Sequence, residues 1–441
     1  MNALPEQRQL IKTFILTTTV MLVVTMAVIS IFYILIPKNN FTINQNILGS
    51  LGWATLASST IYVSLAYKKE CFFIFFLFII IGFFTKAYLE PISDQIDHLY
   101  RTQEKCRNTG SVLKLNRGLW QYSMNSLLLC ESKDEIHNPE KKLFFIDILH
   151  GLYISFASTV LYTVSRNSGL PAKWSFLSVL IAVLFMGTNK FSYFRYYSYG
   201  PSFTSICIYW TWISFFFFSK EKNKLLYGTL FFILIAPVIL VNHVQELIFL
   251  SFILLFWLIL NLTEKIYSSK KTSHYFWLWA ATVFSFFFIF PQFQFFQNFF
   301  HSLINTAYPY SISNLWEKNQ NVVYYWNSIH IMGKIWIPQY RVAETIGIMG
   351  LAPLALAPLI YFCNQGHFPK SEQIRIILLG CLPFLTLCSP LCHYIWATHV
   401  QLPVYYRIAY SSLFWITIVY FLYLTEICLK KYFTRRPAQN T

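Results

Sequence analysis

Apolar residues in this chain come in long uninterrupted runs, without the alternation of a half-buried strand or the narrow stripe of a soluble amphipathic helix. About 20 mainly apolar residues suffice for a helix to cross a bilayer core. Twelve such segments are predicted, near 14–37, 47–67, 71–89, 143–165, 174–190, 201–219, 225–242, 245–263, 275–294, 343–363, 376–394 and 407–428. The first is too long for a cleavable signal and lacks a small-residue cleavage site, so it reads as an anchor. The predicted fold class is therefore all-α: one polytopic transmembrane helical bundle of about 12 spans over 1–441.

The polar stretches between the runs are unequal in length. With the N-terminus in the cytoplasm, connections on that side are short, while two long exoplasmic loops cover 90–142 and 295–342. Long loops in compact proteins are usually functional or disordered. These two carry Trp120, Tyr122, Trp316, Tyr324, Tyr325, Trp326 and Trp336, which predicts order and interfacial helices. Leu113 to Cys130 is amphipathic, suiting either a helix lying flat at the interface or one packed on top of the bundle.

Charge supports this topology. Of the 34 Lys and Arg residues, 18 fall on the cytoplasmic side, among them Lys68, Lys69, Arg166, Lys173 and Arg375. Short outer loops hold only Lys38, Lys190, Arg195 and Arg407, as the positive-inside rule requires. The net charge of +16 is spread through the loops, so membrane orientation and anionic lipid account for it better than nucleic acid does. Composition agrees, with 56% hydrophobic, 20% aromatic and only 12% charged residues. Most of the nine cysteines lie in or beside spans as apolar residues. Cys106 and Cys130 share the first outer loop, where an oxidising compartment would permit a disulfide.

The groups capable of chemistry gather on the outer side. In the stretch from Ser93 to Arg101, Asp94, Asp97, His98 and Arg101 occupy positions i, i+3, i+4 and i+7, one face of a helix. Two carboxylates, an imidazole and a guanidinium suit acid/base work or a cation beside a phosphate. The bland reading is a solvated helix start with Ser93 as N-cap, which explains the acids but not His98 and Arg101. Beyond these come Arg195 among six aromatics, His243 and Glu246 in a tight turn, and His393, His399, Tyr405, Tyr406 and Arg407 in the last outer loop. Asp147 and His150 read as local partners at i, i+3 spacing. Arg195 and Arg407 suit either phosphate binding or snorkelling to the interface. No Walker loop, GxGxxG, CxxC or HExxH is present.

An acidic residue after an early span, in a long first exoplasmic loop, resembles the GT-C superfamily of integral-membrane glycosyltransferases. The resemblance rests on Pro91 to Arg101, the loop to Lys142 and the span pattern to about Tyr423. Many members have this loop directly after their first span, whereas two further spans precede it here. The resemblance implies transfer of a sugar from a polyprenyl-phosphate-linked donor to a glycan, lipid or protein acceptor on the periplasmic or luminal face. The sequence shows no targeting signal, which favours a bacterial inner membrane over an endoplasmic reticulum. The resemblance makes Asp94 the general base and Asp97 its assistant. His98, Arg101, His243 and Glu246 orient the donor phosphate, and Arg195 and Arg407 neutralise the leaving phosphate. It leaves open a divalent cation, Mg²⁺ or Mn²⁺, on Asp94, Asp97, His243 and Glu246, since many such enzymes need no metal. The alternatives are an O-antigen polymerase or ligase-like enzyme relying on Arg341, His393 and Arg407, and a transporter or flippase, which would want charges at the bilayer midplane.

Overall fold

The computed structural model describes residues 15–20, 43–87, 139–185, 201–219, 223–242, 244–267, 328–331, 335–338, 352–353, 355–360, 370–388 and 413–435, with Thr102, Met124 and Ala281. Its architecture is all-α apart from one short hairpin. In chain order the main elements are α1 (Ile43–Ser64), a 3-10 turn (Leu65–Tyr67), α2 (Lys68–Ala87), α3 (Pro139–Asn167), α4 (Ala172–Leu180), α5 (Pro201–Trp212), α6 (Lys224–Asn242) and α7 (Val244–Tyr267), then α8 (Lys370–Cys388) and α9 (Phe414–Arg435). Both α4 and α5 finish as a single π-helical turn, Ile181–Phe185 and Ile213–Phe217. The hairpin pairs β1 (Ser328–Ile331) with β2 (Ile335–Pro338) antiparallel, His330 opposite Trp336. It falls inside the second long loop, and in the first loop Thr102 and Met124 are helical; the rest of both loops lies outside the described residues.

These helices coincide with nine of the predicted apolar segments, with ends shifted by a few residues. The largest useful shift is at α8, which begins at Lys370 rather than near 376. Arg375, expected as a cytoplasmic loop charge, is consequently buried inside a helix. Among the described residues one segment, Ile146–Asn167, is long and apolar enough to cross a membrane by length and composition; shorter apolar helices run over Ala172–Leu184, Thr204–Phe217, Lys224–Ile239 and Leu250–Leu262.

The chain divides into two compact units, one of Met1–Val179 with Ser192–Ser251, the other of Leu180–Phe191 with Phe252–Thr441. In the first unit, side-chain pairs give the helix directions. Trp53 stacks on Tyr153 and Tyr67 reaches Asn167, so α1 and α3 run parallel. Ser155 donates to the Phe75 carbonyl and Cys71 meets Thr163, so α2 runs back between the same two levels of α3. Tyr62 packs against Phe215 with ring centroids 4.7 Å apart, bringing the end of α5 beside the ends of α1 and α3. The Trp212 indole donates to the Gly228 carbonyl at 2.9 Å, and α6 turns back from there.

The α2–α3 pair is the tightest contact in this unit. A Cβ on Gly82 would lie 2.8 Å from the Gly151 Cα, and one on Gly151 would lie 2.8 Å from the Ile79 carbonyl oxygen. Gly151, Ser155, Thr159 and Thr163 follow at every fourth position, making a small-residue stripe along which two backbones approach closely. Thr159 and Thr163 donate to the carbonyls four residues back, at 2.9 and 3.0 Å, so their buried hydroxyls are satisfied within the helix. At its end α3 closes on Gly169, whose φ of 94° is the left-handed cap. Leu170 N–H returns to the Ser165 carbonyl and Gly169 N–H to that of Arg166, the two bonds of a Schellman motif.

In the second unit α8 packs on α9. Thr417 Oγ1 donates to the Ile376 carbonyl at 2.7 Å, and Gly380 leaves no room for a side chain, since a Cβ would lie 2.3 Å from Thr417 Oγ1. Arg375 Nη2 donates to Asn261 Oδ1 at 3.1 Å, and Asn261 in turn donates to the Trp257 carbonyl at 2.6 Å.

Candidate functional site

The first unit has two chemically different ends. At one end the chain reverses through short turns after α1, α3 and α5, and a polar network ties them together. Arg166 Nε lies 3.3 Å from Glu70 Oε2, its Nη1 donates to the Leu170 carbonyl at 2.9 Å, and its guanidinium sits 4.8 Å from the Tyr67 ring centroid. The Tyr162 hydroxyl donates to the same Glu70 oxygen. The Tyr67 hydroxyl donates to Asn167 Oδ1 at 3.1 Å. Asn167 Nδ2 then donates to both Ser214 O and Ser214 Oγ, at 2.9 and 3.0 Å. That carbonyl lies in the terminal π-turn of α5, where helix carbonyls lose their intrahelical partners.

The one carboxylate of this network is matched by a guanidinium at ion-pair distance and by a hydroxyl. Such an arrangement holds helices together and offers no reactive group to a substrate. The sequence reading took Arg166 only as a cytoplasmic charge and passed over Glu70 and Asn167. The available signal was a single acid next to two lysines at the start of a wholly apolar helix, which needs a partner wherever it is partly buried.

The opposite end lies beyond Trp53 of α1, Gly82 of α2 and Gly151 of α3. Here Trp53 stacks on Tyr153 with centroids 5.4 Å apart and donates its indole N–H to the Met124 carbonyl at 3.0 Å. Met124 belongs to the amphipathic stretch 113–130 and is fully buried. Of the two readings open for that stretch, packing on the bundle is the one this contact favours. Thr102, directly after Arg101, is also helical and fully buried. One turn before Tyr153 lies His150, buried without exposure, and Asp147 precedes it half-buried. The i, i+3 spacing predicts both as local partners, and both lie on α3 within two turns of Tyr153.

Glu246 is the one predicted site residue among those described. It sits in the first turn of α7, four residues after the end of α6, and is 2% exposed. A carboxylate so placed benefits from the positive end of its helix dipole. Asp94, Asp97, His98, Arg101, Arg195, His243 and Arg407 lie outside the described residues, as do Arg341, His393, His399, Cys106 and Cys130. The last described residue before Asp94 in the chain is Ala87, the end of α2.

For a cation, the candidate donors are carboxylates and one imidazole, a set that suits Mg²⁺ or Mn²⁺ by hardness. Among the described residues no three His, Cys, Asp or Glu side chains gather. The described cysteines, Cys71, Cys207, Cys381 and Cys428, are free thiols. No protein-family model matches the chain, and no curated protein and no solved structure matches it either.

Proposed function

We propose that this chain is a polytopic membrane glycosyltransferase that moves a sugar from a polyprenyl-phosphate donor on the exoplasmic face. What supports this reading is the sequence spacing of Asp94, Asp97, His98 and Arg101 at i, i+3, i+4 and i+7. That stretch begins seven residues after α2 ends at Ala87, and Met124, later in the same predicted loop, accepts from the Trp53 indole.

Support for a membrane setting comes from inverted polarity. On α2, Phe72, Phe73, Phe76 and Phe84 face outward, while Ser155, Ser158, Thr159 and Thr163 of α3 are buried. A large exposed apolar face with hydroxyls inside is the wrong way round for water and suits lipid. The twelve-span topology, with both termini cytoplasmic, extends this pattern to the remaining apolar segments.

In the proposed reaction the Asp94 carboxylate takes the proton from an acceptor hydroxyl as its oxygen bonds to the anomeric carbon. The bond from that carbon to the donor phosphate oxygen breaks, and polyprenyl phosphate leaves with the electron pair. Arg195 and Arg407 meet the charge that develops on it, while His98, Arg101, His243 and Glu246 orient the donor and Asp97 the acceptor. A divalent cation, where bound, would supply further neutralisation of the phosphate, and no step depends on it.

The test is transfer of radiolabelled sugar from a panel of polyprenyl-phosphate sugars by purified protein, wild type against Asp94→Asn. Transfer by wild type that falls by at least about a hundredfold in the mutant is the expected result for loss of a general base. Transfer surviving the mutation would move the base elsewhere, and no transfer from any donor would remove the enzyme reading.

A further inference from the structure

The short-turn end of the first unit carries more cations than acids. Residues 65–71 and 166–174 contain Lys68, Lys69, Arg166 and Lys173 against the single acid Glu70, and Glu70 is already engaged by Arg166 and Tyr162. Lys68, Lys69 and Lys173 are all exposed. Lys173 Nζ stands 5.1 Å from the ring centroid of Trp174, an amphipathic pairing suited to a headgroup layer.

Directly beyond the lysines runs an apolar face. Phe72, Phe73, Phe76, Ile80 and Phe84 are 66, 60, 49, 54 and 57% exposed, and Lys69 stands one step before them on the same four-residue spacing. From Phe72 to Phe84 the helix rises about 18 Å, a little more than one leaflet of a core about 30 Å thick. Helix α6 repeats the pattern from the same end: Lys224 opens it, and Leu226, Leu230 and Ile233 face outward.

We propose that this end of the unit is an anionic-phospholipid surface. Lys68, Lys69 and Lys173 meet the headgroup phosphates, and the phenylalanine face of α2 takes the acyl chains. Charge complementarity selects the occupant, since three exposed cations at the head of an apolar stripe gain more from a headgroup of net negative charge than from a zwitterionic one, whose phosphate is already balanced by its own cation. The proposal rests on the membrane-spanning part of the reading above and on no part of the enzyme assignment.

The test uses full-length protein reconstituted in vesicles of mixed phosphatidylglycerol and phosphatidylcholine, with spin-labelled versions of each lipid as probes. Wild type is expected to restrict phosphatidylglycerol in preference to phosphatidylcholine. K68Q/K69Q/K173Q is expected to lose roughly fivefold of that preference per lysine removed at low salt, the equivalent of about 1 kcal/mol per cation near an anionic surface. A nitroxide at Phe76→Cys is expected to collide freely with oxygen and to be shielded from a nickel chelate. Equal restriction of the two lipids, or a preference untouched by the triple change, would overturn the proposal. Low oxygen access at position 76 would do the same, by showing another protein segment or a second copy on that face. Extraction of the chain by alkaline carbonate would remove the membrane reading itself, which separates that failure from the others.

Discussion

Trp53 and Tyr153 stack face to face, with planes 7° apart, while the Trp53 indole N–H holds the main-chain carbonyl of Met124 at 3.0 Å. One side chain thus joins two parallel helices and fastens the first long loop to them. Trp53→Phe keeps an aromatic ring for Tyr153 and deletes the hydrogen bond, which should cost about 1 kcal/mol. Thermal unfolding in detergent checks the magnitude. Limited proteolysis checks the location, because cleavage within 113–130 should accelerate while cleavage after α6 should not.

Alanine should have opposite consequences at two positions of α3 that are two turns apart. Gly151→Ala places a Cβ 2.8 Å from the Ile79 carbonyl oxygen, and backbone cannot yield as a side chain can, so a loss of about 1–3 kcal/mol is expected. Ser158→Ala removes a buried hydroxyl that has no hydrogen-bond partner and should be neutral or stabilising. Parallel melting curves decide both. A neutral Gly151→Ala would mean that α2 and α3 can separate without penalty.

Asn167 is the only side chain bonded both to the α1–α2 turn and to α5 in the described network, and its amide polarity matters. Asn167→Ala should lose about 1 kcal/mol. Asn167→Asp keeps the shape but turns an acceptor toward the Ser214 carbonyl, so it should be the more damaging of the two. Retained stability in the Asp variant, measured by the same melt, would show that the amide donors contribute nothing.

Glu246 offers a test of the outer site from a described position. Glu246→Gln preserves volume at a 2% exposed residue and should leave the melting temperature nearly unchanged while lowering sugar transfer by roughly tenfold or more. Assays with chelator and with added Mg²⁺ then separate two roles. A ligand role predicts that excess Mg²⁺ restores part of the loss, and a phosphate-orienting role predicts that it does not.

The positions of the helices were legible because long apolar runs leave little choice of element, and the predicted segments at 201–219 and 225–242 match α5 and α6 nearly end to end. The faces those helices present to one another were not legible from hydrophobicity. A helix apolar all round carries no stripe to read, and on α3 the packing face is instead written in Gly151, Ser155, Thr159 and Thr163. Buried Arg375 was misjudged because a charge beside an apolar run looks like a loop residue until Asn261, more than a hundred positions away in the chain, supplies its acceptor. Of the candidate site, Asp94 to Arg101 are legible as a helical spacing and lie outside the described residues. The docking of Met124 was not legible, since an amphipathic stretch fits a lipid surface and a bundle top equally well.

The network at the short turns also has a consequence for how the chain is made. Tyr67, Glu70, Tyr162, Arg166, Asn167 and Ser214 are all contained in the first half of the sequence. A ribosome has therefore delivered every partner once Ser214 has emerged, and domains tend to fold in the order of synthesis. The amino-terminal helices can lock while the rest is still being translated. A nascent chain arrested soon after α5 should already resist protease at the α1–α2 turn.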